Sequence, residues 1–132
     1  MRPDVIGFIL AAGFGTRLKP FTNHTPKALV PVMDRVMADW ALGMLQHAGI
    51  ARIGINAHHH SDQIARYATE NSLTCFPEPE ILGTGGYLNN LDGFLDRTMV
   101  VVNCDALFPE PDRLVAELVT RQRETRAAAT LV

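Results

Sequence analysis

The N-terminal segment reads Val5-Ile6-Gly7-Phe8-Ile9-Leu10-Ala11-Ala12-Gly13-Phe14-Gly15-Thr16-Arg17-Leu18. It begins with an unbroken apolar run, which is typical of a β-strand that is covered on both faces. The small residues and glycines that follow let backbone N–H groups approach a ligand and form an anion-binding concavity. Arg17 and, further along, Lys27 provide cations suited to phosphate oxygens. The segment therefore predicts a phosphate-binding loop at the carboxyl end of a first strand.

The glycines of this loop also allow other interpretations. Two glycines one residue apart are, by themselves, more typical of a tight surface turn with exposed cations beside it. A P-loop is excluded, because its Gly-x-x-x-x-Gly-Lys-Ser/Thr string does not occur. A dinucleotide-binding loop needs a third glycine where Leu18 stands, and Pro20 and Pro26 interrupt the helix that should follow. An NAD-dependent oxidoreductase is therefore disfavoured.

Strand-like and helix-like segments alternate along the rest of the chain. Apolar runs predict strands at residues 52–57, 73–76 and 99–102, and the opening of a fifth at 128–132. Helical periodicity predicts helices at residues 36–48 and 61–71 and after Asp112, with Ser61 and Asp112 as N-caps, and a short helix at 87–91. The alternation predicts a three-layer α/β fold with a mostly parallel, Rossmann-like sheet that binds ligands at the carboxyl ends of its strands.

Three consecutive histidines, His58 to His60, suggest either a metal site or a polar turn. Adjacent side chains point in different directions, whereas metal ligands are usually spaced along an element, so we interpret the histidines as a strand-to-helix turn. Cys104 is a second candidate for chemistry. A buried, unreactive thiol is the commoner case and no histidine lies near it in sequence, so we reject it as a nucleophile.

Composition limits the function classes that need to be considered. The 132 residues suffice for one domain, and 47% are hydrophobic and 20% charged. A net charge of −2 argues against nucleic acid or an anionic membrane as a partner. No apolar run approaches the roughly 20 residues of a membrane span, and no cleavable signal pattern follows Met1. Cys75 and Cys104 fit a reducing compartment, so a cytoplasmic protein is expected.

A longer pattern surrounds the glycine loop: Leu10-Ala11-Ala12-Gly13-x-Gly15-Thr16-Arg17-Leu18-x-Pro20-x-Thr22-x-x-x-Pro26-Lys27-x-Leu29-Val30-Pro31-Val32. It resembles the signature of the sugar-1-phosphate nucleotidylyltransferases. The resemblance extends to Glu80-x-x-Gly83-Thr84-Gly85-Gly86 and to Val102-Asn103-Cys104-Asp105. The second glycine-rich stretch is similar to members that act on mannose-, heptose- or N-acetylmuramate-type phosphates, which leaves the base and the sugar open.

The resemblance implies transfer of a nucleoside monophosphate from a nucleoside triphosphate to a sugar-1-phosphate, with release of pyrophosphate and with Mg²⁺ as cofactor. By the same resemblance, Arg17 would neutralise the departing pyrophosphate, Lys27 would hold the phosphates to be joined, and Asp105 would bind Mg²⁺. The remaining implied contacts are to the nucleotide. Leu10, Ala11, Gly13 and Gly15 would supply main-chain contacts, Thr16 would also bind the nucleotide, and Glu80 and Gly85 would lie beside the base and ribose.

Members of that family are considerably longer than this chain. Residues 1–132 are therefore expected to form the nucleotide-binding part, with the sugar-binding remainder absent, either as a fragment or as a reduced form. The alternative is a non-catalytic module that binds a nucleotide or nucleotide-sugar, although a pure binder does not need both Arg17 and Asp105. A homo-oligomer is one further option, because an unpaired last strand would seek a partner.

Overall fold

A computed structural model describes residues 4–131, without the side chains of Thr84 and Asp112. Its central sheet contains β1 (Val5–Leu10). Two short strands, β2 (Pro31–Val32) and β3 (Arg35–Val36), form a separate antiparallel hairpin. The other sheet strands are β4 (Ile53–Ala57), β5 (Thr74–Pro77) and β6 (Thr98–Asn103). Within the described residues the sheet has the order β5-β4-β1-β6, and every neighbouring pair is parallel.

Three long helices and one short helical segment cover this sheet. The helices are α1 (Met37–His47), α2 (Ser61–Glu70), α3 (Gly83–Gly86) and α4 (Pro111–Thr125), and a 3₁₀ turn, Tyr87–Asn90, follows α3. Alternate residues of β1 point to opposite faces, as strand geometry requires. Val5 and Ile9 pack with α1, α2 and α4, whereas Ile6 and Phe8 pack against Tyr87, Leu91 and Phe94. The predicted three-layer α/β fold with a mostly parallel sheet is confirmed.

The long connection after β1 is ordered by short local structures. It contains three 3₁₀ turns, Thr16–Leu18, Phe21–Asn23 and Lys27–Leu29, before the hairpin formed by β2 and β3. Strands of two residues are too short to produce a visible alternation of apolar and polar positions, which explains why the sequence did not predict the hairpin.

Both predicted helix caps were placed one or two residues too late. Ser61 is the first residue of α2, and its N-cap is His60 in the left-handed conformation (φ 51°), with no capping bond from a side chain. The N-cap of α4 is Glu110, and Pro111 opens the helix, where its fixed φ is favourable. Asp112 therefore lies inside the first turn.

The expected fifth strand does not form in the described residues, where 128–131 have no regular structure; Val132 lies outside them. Arg126 ends α4 in the left-handed region (φ 51°), and the Gln122 side-chain amide donates to the carbonyl of Ala127 at 3.1 Å. The chain therefore turns back after α4, and residues 128–131 lie beside α4 and β6 without pairing with β6. No helix within residues 4–131 is both long and apolar enough to cross a membrane.

Candidate functional site

The carboxyl ends of β1, β4 and β6 surround a cleft of about 260 Å³. Parallel strands end at the same edge of a sheet, so the loops that follow them meet there. The lining comprises Leu10 at the end of β1 and residues 11–13 after it, Asn56 on β4, Glu78, Ile81 and Gly83 after β5, Asn103 at the end of β6 and residues 104–105 after it, and Lys27. Residues of the glycine loop, of the Glu80–Gly86 stretch and of the Val102–Asp105 stretch therefore line one concave surface, whereas Arg17 and residues 14–16 lie outside its lining.

Lys27 and Asp105 form an ion pair at this cleft, with 2.5 Å between Nζ and Oδ2. Their side chains are 24% and 42% exposed, so both remain accessible. The hydrogen bond from Lys27 lowers the pKa of Asp105, against a smaller upward effect of burial, and the charge of Arg17 lowers it further. Asp105 is therefore ionised at neutral pH and lies within the field of two cations.

Arg17 lies on the exposed 3₁₀ turn that follows Gly15. Its guanidinium has no hydrogen bond or ion pair within residues 4–131, although it acts on Asp105 through its charge. The neighbouring backbone is also open. No acceptor for the N–H groups of residues 13–16 is found in the part of the chain that the structure describes. This loop can thus offer both a cation and a row of donors to an anion.

Gly15 gives the loop its tight turn. Its φ is +63°, a conformation that side chains rarely adopt, and an added Cβ would lie 2.8 Å from Thr22 Cγ2 and 2.9 Å from Lys27 Cβ. The Thr22 hydroxyl donates to the Gly15 carbonyl at 2.9 Å. Gly15 therefore lies close to the base of the Lys27 side chain, and the ion pair with Asp105 holds the ammonium group.

A buried pair that the sequence did not predict supports the floor of the cleft. Asn56 and Glu78 are each only 4% exposed. The Asn56 amide group donates to Glu78 Oε1 at 2.8 Å, and its oxygen accepts from the N–H groups of Ala11 (2.6 Å) and Ala12 (3.2 Å). Glu78 lies between two prolines, a pattern typical of an exposed turn. The only sequence signal for Asn56 was one polar residue in an apolar strand.

Residues 6–132 match the family model described as Nucleotidyl transferase. The chain belongs to the nucleotidyl transferase family. The N-acetylmuramate alpha-1-phosphate uridylyltransferase of Caulobacter vibrioides is 41% identical over 114 residues, which cover 80% of this chain and 47% of that protein. The UTP–glucose-1-phosphate uridylyltransferase of Synechocystis sp. is 29% identical over 141 residues, which cover 94% of this chain and 36% of that protein. The resemblance found in the sequence is confirmed.

A solved structure from Bacillus anthracis, named as a glucose-1-phosphate thymidylyltransferase and containing sucrose, shares the fold. Its TM-score is 0.79 and its identity 28%, and the match covers 90% of this chain and 51% of that one. The chain thus spans about half, or less, of the length of these relatives. That residues 1–132 form a nucleotide-binding part stays a prediction.

The structure separates the predicted nucleotide contacts into two groups. Leu10, Ala11 and Gly13 line the cleft, although the N–H of Ala11 is already bound to Asn56. Glu80 and Gly85 are exposed and outside the cleft lining, and Thr16 is exposed on the loop. The roles assigned to these residues stay predictions.

Two further residues bear on the chemistry of the family site. Burial raises the pKa of the Cys104 thiol to about 11, so the thiol stays protonated and is a poor nucleophile, as predicted. Asp105 offers carboxylate oxygens, the ligand type that Mg²⁺ prefers, and Mg²⁺ is commonly held by one or two carboxylates together with substrate phosphates. Within residues 4–131 no group of three metal-ligating side chains occurs. Asp105 therefore fits a magnesium ion that is shared with a phosphate ligand.

Proposed function

We propose that this chain supplies the nucleotide-binding part of a sugar-1-phosphate nucleotidylyltransferase. The observation that carries the proposal is the Lys27–Asp105 pair within reach of the charge of Arg17, on a loop where the guanidinium of Arg17 and the N–H groups of residues 13–16 have no partner within residues 4–131. Such an arrangement suits a triphosphate with a divalent cation. The names of the relatives, which are sugar-1-phosphate uridylyl- and thymidylyltransferases, support the choice of reaction.

In the proposed reaction, a phosphate oxygen of the sugar-1-phosphate attacks the α-phosphorus of the nucleoside triphosphate. The new P–O bond forms as the bond from the α-phosphorus to the bridging oxygen breaks, and the electron pair leaves with pyrophosphate. The nucleophile is already anionic, so the protein needs no nucleophile of its own. Catalysis then consists of alignment and of neutralising negative charge.

The residues of the cleft and of the adjoining loop would divide this work. Arg17 and the N–H groups of the loop would bind the β- and γ-phosphates that depart, and Lys27 would hold the phosphates to be joined. Lys27 would exchange its bond to Asp105 for one to phosphate, which would free that carboxylate for a cation. Asp105 would hold Mg²⁺, which supplies further charge neutralisation when it is bound.

Binding and turnover can be tested separately. Calorimetry with Mg²⁺ and each nucleoside triphosphate should detect saturable binding by this chain. The R17A and D105N variants should bind about tenfold more weakly, as expected for loss of a charge-assisted contact. The matched control is R66A, which removes an exposed arginine of α2 that belongs neither to the cleft lining nor to the loop of residues 13–17. Equal affinities in R17A, D105N and R66A would contradict the proposed site.

Turnover is measured as pyrophosphate release with a panel of sugar-1-phosphates. The assay compares this chain with a polypeptide extended along its reading frame. If the extended protein releases no pyrophosphate with any pair, the catalytic proposal fails and a binding module remains.

Because this chain spans less than half of the length of the two curated relatives, that binding module is the second candidate for this chain alone. R17A separates the two candidates, because an enzyme should lose rate more than nucleotide affinity. A cytoplasmic location and a homo-oligomeric state stay predictions.

A further inference from the structure

The three consecutive histidines between β4 and α2 each donate to a main-chain carbonyl of another segment. We call His58, His59 and His60 the histidine clasp. His58 Nδ1 donates to the carbonyl oxygen of Glu78 at 2.7 Å, and His59 Nε2 donates to that of Thr22 at 3.0 Å. A carbonyl oxygen only accepts, so each of these ring nitrogens carries a hydrogen.

The clasp and α2 bind three successive carbonyls of the loop that follows β1. Besides the bond to Thr22, His60 Nε2 donates to the carbonyl of Asn23 at 3.2 Å. The side-chain amide of Gln63 donates to the carbonyl of His24 at 2.8 Å. These contacts join segments 37 to 39 residues apart in sequence, so the loop is held by α2 rather than by its own turns alone.

His59 reaches the glycine turn through Thr22, which is 1% exposed. The Thr22 hydroxyl donates to the carbonyl of Gly15 at 2.9 Å. The edge of the Phe14 ring packs against the rings of His58 and His59, with centroids 5.4 and 5.6 Å apart. His59 therefore contacts the loop both at Phe14, between the two glycines, and at the 3₁₀ turn Phe21–Asn23, whereas His58 contacts it at Phe14.

His58 reaches the other side of the cleft through Glu78. It binds the main-chain carbonyl of this residue, while the carboxylate accepts from Asn56 and from the N–H of Leu82. Neither His58 nor His59 lines the cleft. An effect of either imidazole on a ligand must therefore pass through Thr22, Phe14 or Glu78.

We propose that His58 and His59 are positioning residues for the nucleotide cleft. His59 sets the glycine loop through Thr22 and Phe14, and His58 sets the opposite rim through Glu78. The proposal rests on the proposed function, because it assigns these residues to the same site.

The first test measures loop order without any nucleotide. Amide hydrogen exchange is followed in the wild type and in H59A, H59Q and H24A. The glutamine amide can donate from nearly the position of Nε2. The control H24A removes a loop histidine whose ring makes no hydrogen bond within residues 4–131.

The reporters are the N–H groups of Leu18 and Asn23, which bind the carbonyls of Gly15 (2.9 Å) and Pro20 (3.1 Å). In H59A they should exchange about fivefold to tenfold faster, as loss of one hydrogen bond predicts, while β1 amides keep their rates. H59Q should lie within about twofold of the wild type. The proposal would be overturned if the reporter amides exchange at the same rate in H59A and H24A. It would also be overturned if H59A accelerates the exchange of β1 amides as much as that of the reporters.

The second test measures the affinity for Mg²⁺ and nucleoside triphosphate in the same proteins and in H58A and H58N. Both alanine variants should bind about tenfold more weakly, and H59Q and H58N should restore binding. Normal affinity in H59A and H58A overturns the positioning role and leaves the proposed function intact. A wild type that binds no nucleotide overturns the proposed function and the nucleotide role of the clasp together.

Discussion

At the scale of single residues, the types of Arg17 and Lys27 suit phosphate, and Asp105 was assigned to Mg²⁺ by the resemblance to the family. The structure brings Lys27 and Asp105 into contact and places Arg17 within electrostatic reach. Asn56 and Glu78 were missed, because their importance comes from burial and mutual bonding, which no residue type reveals. Residue chemistry thus identified the charged rim of the cleft but not its buried floor.

The K27M variant should raise the pKa of Asp105 toward its ordinary value. Lys27 is the largest cause of the lowered pKa, and burial alone acts in the opposite direction. The lowered pKa means that the pair stabilises the fold above the unfolded-state pKa of about 3.9. This contribution is lost as the pH falls through the lower folded-state pKa. Carbon-13 NMR of the carboxyl group measures the shift, and K19M, the other loop lysine, should leave the titration unchanged.

The G15A variant should lower the free energy of unfolding by about 1–3 kcal/mol. Its positive φ and the short distances to Thr22 and Lys27 leave no room for a methyl group. G13A is the matched control, because nothing lies within 4 Å of its added Cβ. Urea denaturation should therefore place G13A within about 0.5 kcal/mol of the wild type. Similar losses in both variants would contradict the geometry of the turn.

At the scale of elements, apolar runs and periodicity located every long helix and every strand of the main sheet in the described residues to within a few positions. The errors lie at the ends. Caps at Ser61 and Asp112 were wrong because the helices begin at Ser61 itself and at Pro111. The fifth strand was wrong because a strand requires a ladder, and residues 128–131 form none. The local sequence pattern predicts the type of a secondary-structure element more reliably than the residues at which the element ends.

Two glycines, one inside helix α1 and one just after it, should have opposite effects on stability when they are replaced by alanine. G43A should raise the free energy of unfolding by about 0.5–1 kcal/mol, because Gly43 lies inside the helix and its added Cβ meets nothing within 4 Å. G49A should lower it by about 1 kcal/mol, because Gly49 follows the helix with φ +80°. Thermal and urea denaturation measure both changes. A loss of stability in G43A would show that the helix has no space on that side.

At the scale of the whole molecule, the Asn56–Glu78 pair joins the ends of β1, β4 and β5. Asn56 binds residues 45 positions earlier and 22 positions later in the chain. The pair closes the floor of the cleft and keeps the first residues after β1 in place. Its effect on stability should therefore extend to the whole sheet edge.

The N56D variant should become less stable, relative to the wild type, as the pH rises from about 4 to 7. The new carboxylate can still accept from Ala11 and Ala12, but it meets the carboxylate of Glu78 at hydrogen-bond distance. Like charges raise the pKa of the introduced group, so the folded state favours its protonated form and loses stability as it ionises. Urea denaturation across this range measures the trend. The exposed control N89D should show no such trend, and a flat profile for N56D would contradict the expectation.

The sequence alone was enough to predict the class of fold, the phosphate-type loop and the family. These depend on properties that lie close together along the chain: apolar runs, glycine spacing and the types of residue in a short signature. Fold and family were confirmed because such local patterns constrain the backbone directly.

The composition of the cleft depended on the three-dimensional arrangement. Lys27 meets Asp105 across 78 residues, Asn56 meets Ala11 across 45, and His59 meets Thr22 across 37. No pattern within one segment encodes such pairs, because they arise only when parallel strands end at a common edge and bring their loops together. The folded chain therefore decides which polar groups are buried, which are bonded to one another, and which remain open to a ligand.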